Sequence, residues 1–432
     1  MHKMIFKDFR YNVKAILRAI PFLAAVNSTL KARRLRTGLN SLANYYKYQA
    51  EKHVFRYQEQ EAIDEFRRRQ LNLNPDHRSK KPGDLRIFWV GANRDQDESG
   101  FLQALRRFGT VIEFQNWKGS YGQWYWDSLG RVRIYDTAIT ALNNRALKLQ
   151  IETALKVGAV DFIMGQMWAN FISKEALGWV RSLGIPVINI SMDDRLPDNW
   201  RRAQDGVRLG AIGLATVTDM VLTTSSETCA WYGVEGCPAV FWPLASDPSV
   251  FSPTGESGRN IDVLFIGNKY GIREGIIREL SMRGVNVECY GAGWPNGPAT
   301  AEHSAALFKR ARIILGVGTV GHCEDVFTLK LRDFDAPMSG ALYLTHRNAD
   351  LARLYQEGVE IECYATPEEA ARKIHHYLAR PADLSRIAKA GHAKALSRDT
   401  WVCRLEETFS RLGLTDGPAR VTASSGSRFS TR

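Results

Sequence analysis

Residues 85–93 read LRIFWVGAN, a mainly apolar stretch that predicts a buried strand ending in a Gly-x-Asn loop. A helix pattern with a glycine stop follows from Glu98 to Gly109, and the strand pattern TVIEF comes next. Together they predict one β-α-β unit. The later strand patterns DFIMGQ, IPVINIS and MVLTTS are also continuous apolar runs, as expected when helices cover both faces of a parallel sheet. Helices are predicted between them, including one through 201–210. This half of the chain therefore predicts a doubly wound α/β domain.

A second series of the same kind begins after a linker. Residues 242–260 read WPLASDPSVFSPTGESGRN, and this Pro-, Ser- and Gly-rich composition indicates a crossing between domains. IDVLFIGN (residues 261–268) then restarts the pattern with another strand and a Gly-Asn loop. The sequence predicts two similar domains that face each other across a cleft. In such sheets ligands bind at the carboxyl ends of the strands.

Composition places the chain among globular proteins. It has 432 residues, of which 44% are hydrophobic, enough for two domains and an appendage. Six cysteines are scattered without a C-x-x-C pair, so neither a zinc site nor a disulfide framework is indicated. A reducing cytosol fits this pattern, and we expect a cytoplasmic protein.

The N-terminal segment carries most of the net charge. Residues 1–84 hold 18 of the 58 Lys and Arg residues but only 8 of the 46 acidic residues, and the whole chain has a formal charge of +12. Apolar and basic residues alternate at helical spacing over residues 5–23, and a second helix pattern spans residues 41–69. A signal peptide is not indicated, because Arg18 and Pro21 interrupt a short apolar run.

Two interpretations of this basic segment stay open. One is a helix at an anionic membrane surface, which requires an apolar face flanked by Lys and Arg. The other is a helical hairpin packed on the main body. Nucleic-acid binding is not indicated, because no docking element or sheet of stacking aromatics accompanies the basic residues.

The block KLRDFDAPMSGALYLTHRNADL, residues 330–351, combines a helix with acidic residues, a turn, a strand and a polar loop. This block, the strand DVLFIGN with the following Arg273, the loop EGVEIECYATPEEAARKI and the helix ending in AGHAKAL resemble the group 1 glycosyltransferase domain of spore-maturation (CgeB-like) proteins. The linker ASDPSVFSP is similar to the junction between the halves of GT-B glycosyltransferases. The first 84 residues show no such resemblance.

The resemblance implies a GT-B fold: two Rossmann-like doubly wound domains facing across a cleft, with an N-terminal helical extension. The expected parts are the basic helical extension (1–83), an N-terminal acceptor domain (84–250), a C-terminal nucleotide-sugar donor domain (251–400), a crossover helix (401–414) and a disordered tail (415–432).

The resemblance also implies a donor site. Asp335 stands where the family usually has Glu, so it is expected to accept hydrogen bonds from the donor ribose, while the basic residues neutralise the diphosphate. The usual second Glu, eight positions earlier, is Phe327 here, which leaves sugar specificity and stereochemistry open. Without a donor role, the basic residues would be exposed helix charges, His322 an incidental loop residue and Asp335 a helix N-terminal acid. The implied donor-binding residues are Gly267, Asn268, Arg273, His322, Lys330, Arg332, Asp335 and Gly340.

Asp193 and Asp194 follow a buried strand and are the candidate catalytic residues. Adjacent carboxylates at the mouth of a cleft raise one pKa towards that of a general base, although Asp193 is equally placed to cap the next helix. Asn93 and Gln166, at strand ends of the first domain, are candidate acceptor contacts. No Asp-x-Asp motif of the metal-dependent GT-A type follows an early strand, and we predict no essential metal and no cofactor.

The predicted function is therefore a metal-independent glycosyltransferase in the cytoplasm or at the inner face of the plasma membrane. Its co-substrate is a nucleoside-diphosphate sugar, and its acceptor is a glycan, a lipid-linked saccharide or a protein. Two alternatives stay open: an inactive nucleotide-sugar-binding partner of a polysaccharide assembly, and a sugar-nucleotide epimerase of the same architecture.

Overall fold

The computed structural model describes residues 21–125, 135–192, 194–253 and 258–417. Two helices come first, α1 (Pro21–Lys52) and α2 (Glu59–Leu73). The pattern over residues 41–69 predicted one helix, but the chain breaks at residues 53–58, where Val54 has a positive φ of 52°.

The first domain is built on a parallel sheet of six strands in the order β2-β1-β3-β4-β5-β6. β3, β4 and β5 are fully buried, which confirms the expectation that helices cover both faces of the sheet. The strands are β1 (Leu85–Val90), β2 (Gly109–Glu113), β3 (Phe162–Gly165), β4 (Val187–Ser191), β5 (Met220–Thr223) and β6 (Ala239–Phe241).

The helices of this domain are short except for one. They are α3 (Arg94–Asp97), α4 (Phe101–Leu105), α5 (Thr137–Val157), α6 (Lys174–Ser182), α7 (Pro197–Trp200) and α8 (Ser226–Val234), with 3₁₀ turns at Arg106–Phe108 and Ala211–Val217. The prediction of a helix through residues 201–210 is wrong. Gly206 turns there with a φ of +84°, and Arg202 pairs with Arg208 in an isolated bridge.

The second domain has five parallel strands in the order β11-β10-β9-β7-β8. They are β7 (Ile261–Ile266), β8 (Glu288–Tyr290), β9 (Ala311–Leu315), β10 (Leu342–His346) and β11 (Glu362–Tyr364). The helices of the crossing and of this domain are α9 (Pro248–Phe251), α10 (Arg273–Met282), α11 (Ala301–Arg310), α12 (Arg332–Met338), α13 (Ala349–Ala352), α14 (Pro367–Leu378) and α15 (Pro381–Arg398). Two doubly wound parallel sheets in succession are the architecture that the apolar strand runs predicted.

The last helix, α16 (Trp401–Arg411), packs on the first domain. Its Trp401 ring lies edge-on to Phe101, with centroids 5.1 Å apart, and its Phe409 ring lies edge-on to Phe108 at 5.1 Å. Where the chain leaves the second domain, Ser246 accepts a hydrogen bond from the backbone of Trp401 at 3.0 Å. The chain thus passes between the domains twice, and its two passages meet.

Helix α1 lies across both domains. In its middle, Arg36 forms a salt bridge with Asp325 of the second domain at 2.8 Å. Near its end, the Tyr46 hydroxyl donates to Glu235 of the first domain at 2.7 Å, and the Tyr46 ring stacks on Trp231 with centroids 5.3 Å apart. In the described residues, therefore, the basic segment packs on the main body. A membrane crossing needs a long and strongly apolar helix, and this part of the chain contains none.

Candidate active site

Two arginines from different helices meet at the loop that follows β7. A Cβ atom on Gly267 would lie 3.0 Å from Arg332 Nη1 and 3.1 Å from Arg273 Nη1, so a larger residue at 267 would displace both guanidinium groups. The two groups also share the ring of Phe265, at 4.9 and 5.7 Å from its centroid. Parallel-sheet topology explains the meeting, because α10 and α12 both begin at the carboxyl edge of the sheet.

This arginine pair is buried, and neither guanidinium forms a salt bridge with a carboxylate of the described residues. Arg273 is 7% exposed and Arg332 is 8% exposed, so neither is an exposed helix charge. Arg273 donates to the backbone oxygen of Asn268 at 2.8 Å, while Arg332 Nε is buried without a hydrogen-bond partner among the described residues. Burial and then the charge of Arg332 lower the pKa of Arg273 to about 10. Two buried like charges are unfavourable until an anion joins them.

A neighbouring loop holds Gly267 and Asn268 in place. Trp294 Nε1 donates to the backbone oxygen of Gly267 at 2.8 Å. The side-chain oxygen of Asn268 accepts from the backbone N–H of Ala292 at 3.1 Å. Asn268 therefore uses its side-chain oxygen to shape the loop that carries the arginine pair.

The two acidic residues of α12 have different roles. Asp333, not Asp335, accepts the backbone N–H of Lys330 at 2.7 Å, so Asp333 is the acid that caps the helix start. Asp335 lies two residues further and is half-buried, and burial raises its pKa to about 8 while the Ser246 hydroxyl and the Arg332 charge oppose the rise. The candidate ribose carboxylate thus lies between the arginine pair and the interdomain crossing.

Two predicted donor residues have other surroundings. Gly340 lies at the far end of α12 with a φ of +70°, and its backbone N–H donates to Pro337 at 2.9 Å. It is a helix C-cap beside Pro253 and not a point of close approach to a donor. His322, in the loop after β9, has its Nδ1 bonded to the Ser28 hydroxyl of α1 at 2.7 Å. Burial, and then Lys31, lowers the pKa of His322.

Asp194 lies inside the first domain and not at the mouth of the cleft. It is 1% exposed, and burial raises its pKa while surrounding hydroxyl groups oppose the rise. The donors to its carboxylate are Ser191, Asn199, Thr223, Thr228 and Tyr232. With its oxygens so engaged, Asp194 is a structural residue, and its assignment as general base is not retained. Asp193 lies outside the described residues.

Asn93 and Gln166 line one cavity in the first domain. Its volume is about 750 Å³, and it opens at the carboxyl ends of β1, β3 and β4. Asn93 also caps α3, because its side-chain oxygen accepts from the backbone N–H of Asp95 at 3.0 Å. The structure thus brings the two predicted acceptor contacts together. Sequence reasoning missed the aromatic part of the lining, which consists of Tyr121, Trp124, Tyr125 and Trp168.

The sequence analysis also missed Asp97, because its neighbours look like an ordinary polar loop. It is 2% exposed, and the Tyr121 hydroxyl donates to its Oδ2 at 2.6 Å. Tyr121 in turn accepts from Trp89 Nε1 at 2.6 Å. Burial raises the pKa of Asp97 to about 6. This carboxyl lies one hydrogen bond behind the wall of the first-domain cavity.

Solved structures of the same architecture share the fold at low identity. HepE from Anabaena, solved in complex with UDP and glucose, matches with a TM-score of 0.53 and 13% identity over 76% of this chain and 100% of that one. Sucrose-phosphate synthase from Thermosynechococcus elongatus matches with a TM-score of 0.52 and 11% identity over 76% and 99%. These likenesses establish the GT-B fold, as the resemblance of the linker and the C-terminal half had implied.

A family model described as Glycosyl transferase-like matches residues 273–410, less than half of the 432-residue chain. The matched stretch starts at Arg273 and contains Arg332 and Asp335. A search of curated proteins found no significant match.

Proposed function

We propose that this protein is a glycosyltransferase that transfers a sugar from a nucleoside-diphosphate sugar to a glycan, lipid-linked or protein acceptor. The observation that carries the proposal is the arginine pair at Gly267, two buried guanidinium groups that form no salt bridge with a carboxylate of the described residues. A diphosphate supplies the negative charge that such a pair requires, and Arg presents several N–H donors to phosphate oxygens. The family match over residues 273–410 and a structural neighbour solved with UDP support the same conclusion.

In this proposal the donor lies along the carboxyl edge of the second sheet. Arg273 and Arg332 bind the diphosphate, Lys330 lies at the start of α12 nearby, and Asp335 accepts from the ribose hydroxyl groups. When the acceptor oxygen attacks the sugar, the bond from the anomeric carbon to the diphosphate breaks and the diphosphate gains charge. Preorganised guanidinium groups stabilise that charge more in the transition state than in the bound donor.

The proposed reaction needs no bound metal, because the arginine pair supplies fixed positive charge where the leaving group departs. Among the described residues no cluster of three or more His, Cys, Asp or Glu side chains is arranged to hold a metal ion. We expect transfer to continue in the presence of EDTA. A loss of activity in EDTA that added Mg²⁺ restores would contradict this part of the proposal.

Nucleotide binding is the direct test of the donor site. Thermal melting of the full chain is followed with UDP-, GDP-, dTDP-, ADP- and CMP-sugars. We expect one nucleotide family to raise the Tm by a few degrees, as ligand binding to the folded state requires. Arg273→Ala and Arg332→Met should lose the rise. Because Arg332→Met removes one of two buried like charges and keeps the side-chain length, its ligand-free Tm should match or exceed the wild-type value.

Arg312→Ala is the matched control for these variants. Arg312 is an arginine of the same domain, but it is half-exposed and forms a salt bridge with Asp262 at 3.0 Å. This variant should keep the full nucleotide response. Equal responses in Arg273→Ala and Arg312→Ala would contradict the donor assignment.

Product analysis separates the transferase from its alternatives. Release of nucleoside diphosphate that depends on an added acceptor supports transfer. Binding without release supports an inactive nucleotide-sugar-binding partner, and release of a free sugar with altered stereochemistry supports an epimerase. The same assay identifies the base and the sugar of the donor.

Peripheral attachment to the inner face of a membrane is part of the proposal. On α1, Leu30 is 49% exposed and Val26 is 42% exposed, and both lie beside exposed Lys31, Arg33 and Arg34. An apolar patch flanked by basic residues suits an anionic lipid surface. Sedimentation with phosphatidylglycerol vesicles, reduced by high salt and absent with phosphatidylcholine, is the expected result. Equal binding to both lipids would contradict it.

A further inference from the structure

The first-domain cavity has an aromatic wall that is rigidly held. Trp124 and Trp168 are both partly exposed and meet edge to face, with centroids 5.8 Å apart. Phe171, which is 3% exposed, stacks on Trp124 at 5.3 Å. The backbone N–H of Trp168 donates to Gln123 at 3.2 Å. These contacts hold both indoles in place before any ligand arrives, which lowers the entropic cost of binding.

Polar groups surround the two indoles. Asn93, Gln96 and Gln166 bring side-chain amides to the lining, and each amide carries both donors and an acceptor. These amides can exchange hydrogen bonds with a polar ligand that lies against the exposed parts of the indoles.

A pyranose ring matches this combination. Its faces carry C–H groups that pack on indole rings, and its edge carries hydroxyl groups that both donate and accept hydrogen bonds. An acyl chain would leave the amides unsatisfied. The charged lining residues Arg94, Asp95 and Lys118 are of mixed sign, which favours a neutral ligand. The volume of about 750 Å³ also lies within the range of small-molecule sites, roughly 300–1,000 Å³.

We infer that this cavity binds a neutral saccharide ring of the acceptor against the exposed parts of Trp124 and Trp168. The inference rests on the proposed function, in which the cavity and the arginine pair lie at the carboxyl edges of the two facing sheets. It narrows the acceptor to a molecule that presents a sugar, such as a glycan or a saccharide on a carrier. The carrier itself is not recognised at this place.

A glycan array probed with the labelled full chain, with and without UDP, tests the inference. We expect binding to a set of related neutral saccharides, and titration calorimetry then measures the affinity for the best of them. Trp124→Ala and Trp168→Ala should weaken that affinity by about tenfold or more, the scale of a lost aromatic contact. Trp168→Phe, which keeps an apolar ring, should recover part of it.

Trp179→Ala is the matched control. Trp179 is a partly exposed tryptophan of α6 in the same domain, next to Lys148 and outside the cavity lining. It should leave saccharide affinity unchanged. Melting curves with and without UDP are recorded for every variant. A folding defect is then recognised by a lowered Tm and by the absence of a Tm rise with UDP.

Each outcome has a separate meaning. Saccharide binding that Trp124→Ala and Trp168→Ala leave unchanged would overturn the inference. So would an array without any bound saccharide for a protein that binds UDP, and the proposed function would then still stand. Saccharide binding that depends on both tryptophans, in a protein that binds no nucleotide, would support the cavity and refute the donor site.

Discussion

Burial raises the pKa of the Asp97 carboxyl from 3.8 to about 6, and this shift fixes the direction in which Asp97 makes stability depend on pH. The folded protein holds the Asp97 proton more tightly than the unfolded chain does. The contribution of Asp97 to the free energy of unfolding is therefore complete below about pH 4 and is lost as the pH rises through 6.

We predict that Asp97→Asn removes this pH dependence. From pH 4 to pH 7 the wild type should lose about 2–3 kcal/mol in free energy of unfolding that the variant keeps, since one pKa unit corresponds to about 1.4 kcal/mol. Urea unfolding at the two pH values measures the difference. Equal pH dependence in both proteins would show that the Asp97 pKa is near its ordinary value.

Single residues also show which positions can be placed from the sequence alone, although the donor role of these residues stays a prediction. Gly267 and Arg273 were identified from local patterns, and the structure places them beside Arg332 because strand ends of a parallel sheet converge. The surroundings of Asp194 were not predictable in this way. Its donors Thr223 and Tyr232 are distant in sequence and meet only when β4, β5 and α8 pack together.

Among the elements, α12 depends on a buried acid at its start. Asp333 is 2% exposed and accepts hydrogen bonds from the Lys330 backbone and the Tyr343 hydroxyl. We predict that Asp333→Ala lowers the free energy of unfolding by about 2–4 kcal/mol, because it leaves both donors unpaired. Tyr343→Phe, which removes only one donor, should cost about 1 kcal/mol. Denaturant unfolding of both variants is the measurement, and equal costs would contradict the capping role.

Elements were predictable where their signal is local. The central strands β3, β4 and β5 were found because both of their faces are buried, so each is a largely apolar run. The loop over residues 114–125 was not predictable, because distant residues shape it. Asn143, for example, donates to the Gln123 backbone at 2.8 Å, and the aromatic cavity depends on this loop. The repeated strand and Gly-Asn signal predicted the two-domain fold, but no pattern showed that α1 spans both domains.

At the scale of the whole molecule, α1 couples the domains. Tyr46 is 3% exposed and contacts the first domain, whereas Ser28 and Arg36 contact the loop after β9 in the second. We predict that Tyr46→Ala speeds hydrogen exchange in residues 318–325, although Tyr46 lies far from them along α1. Mass spectrometry measures this exchange. Tyr48→Ala, on the same helix but 60% exposed, is the control and should leave it unchanged. Identical exchange in both variants would mean that α1 does not couple the domains.

The meeting of the two interdomain passages has a mechanical consequence. The Ser246 backbone N–H donates to Asp399 at 2.9 Å, and its oxygen accepts from Trp401, so both passages are fastened at one point. A swing of one domain against the other bends the chain at this hinge and changes the gap between the arginine pair and the aromatic cavity, while α1, which contacts both domains, opposes the swing. Asp335 lies beside this hinge, where a swing moves atoms least. A nucleotide held there would keep its ribose contact in the open and closed states, while the sugar end travels.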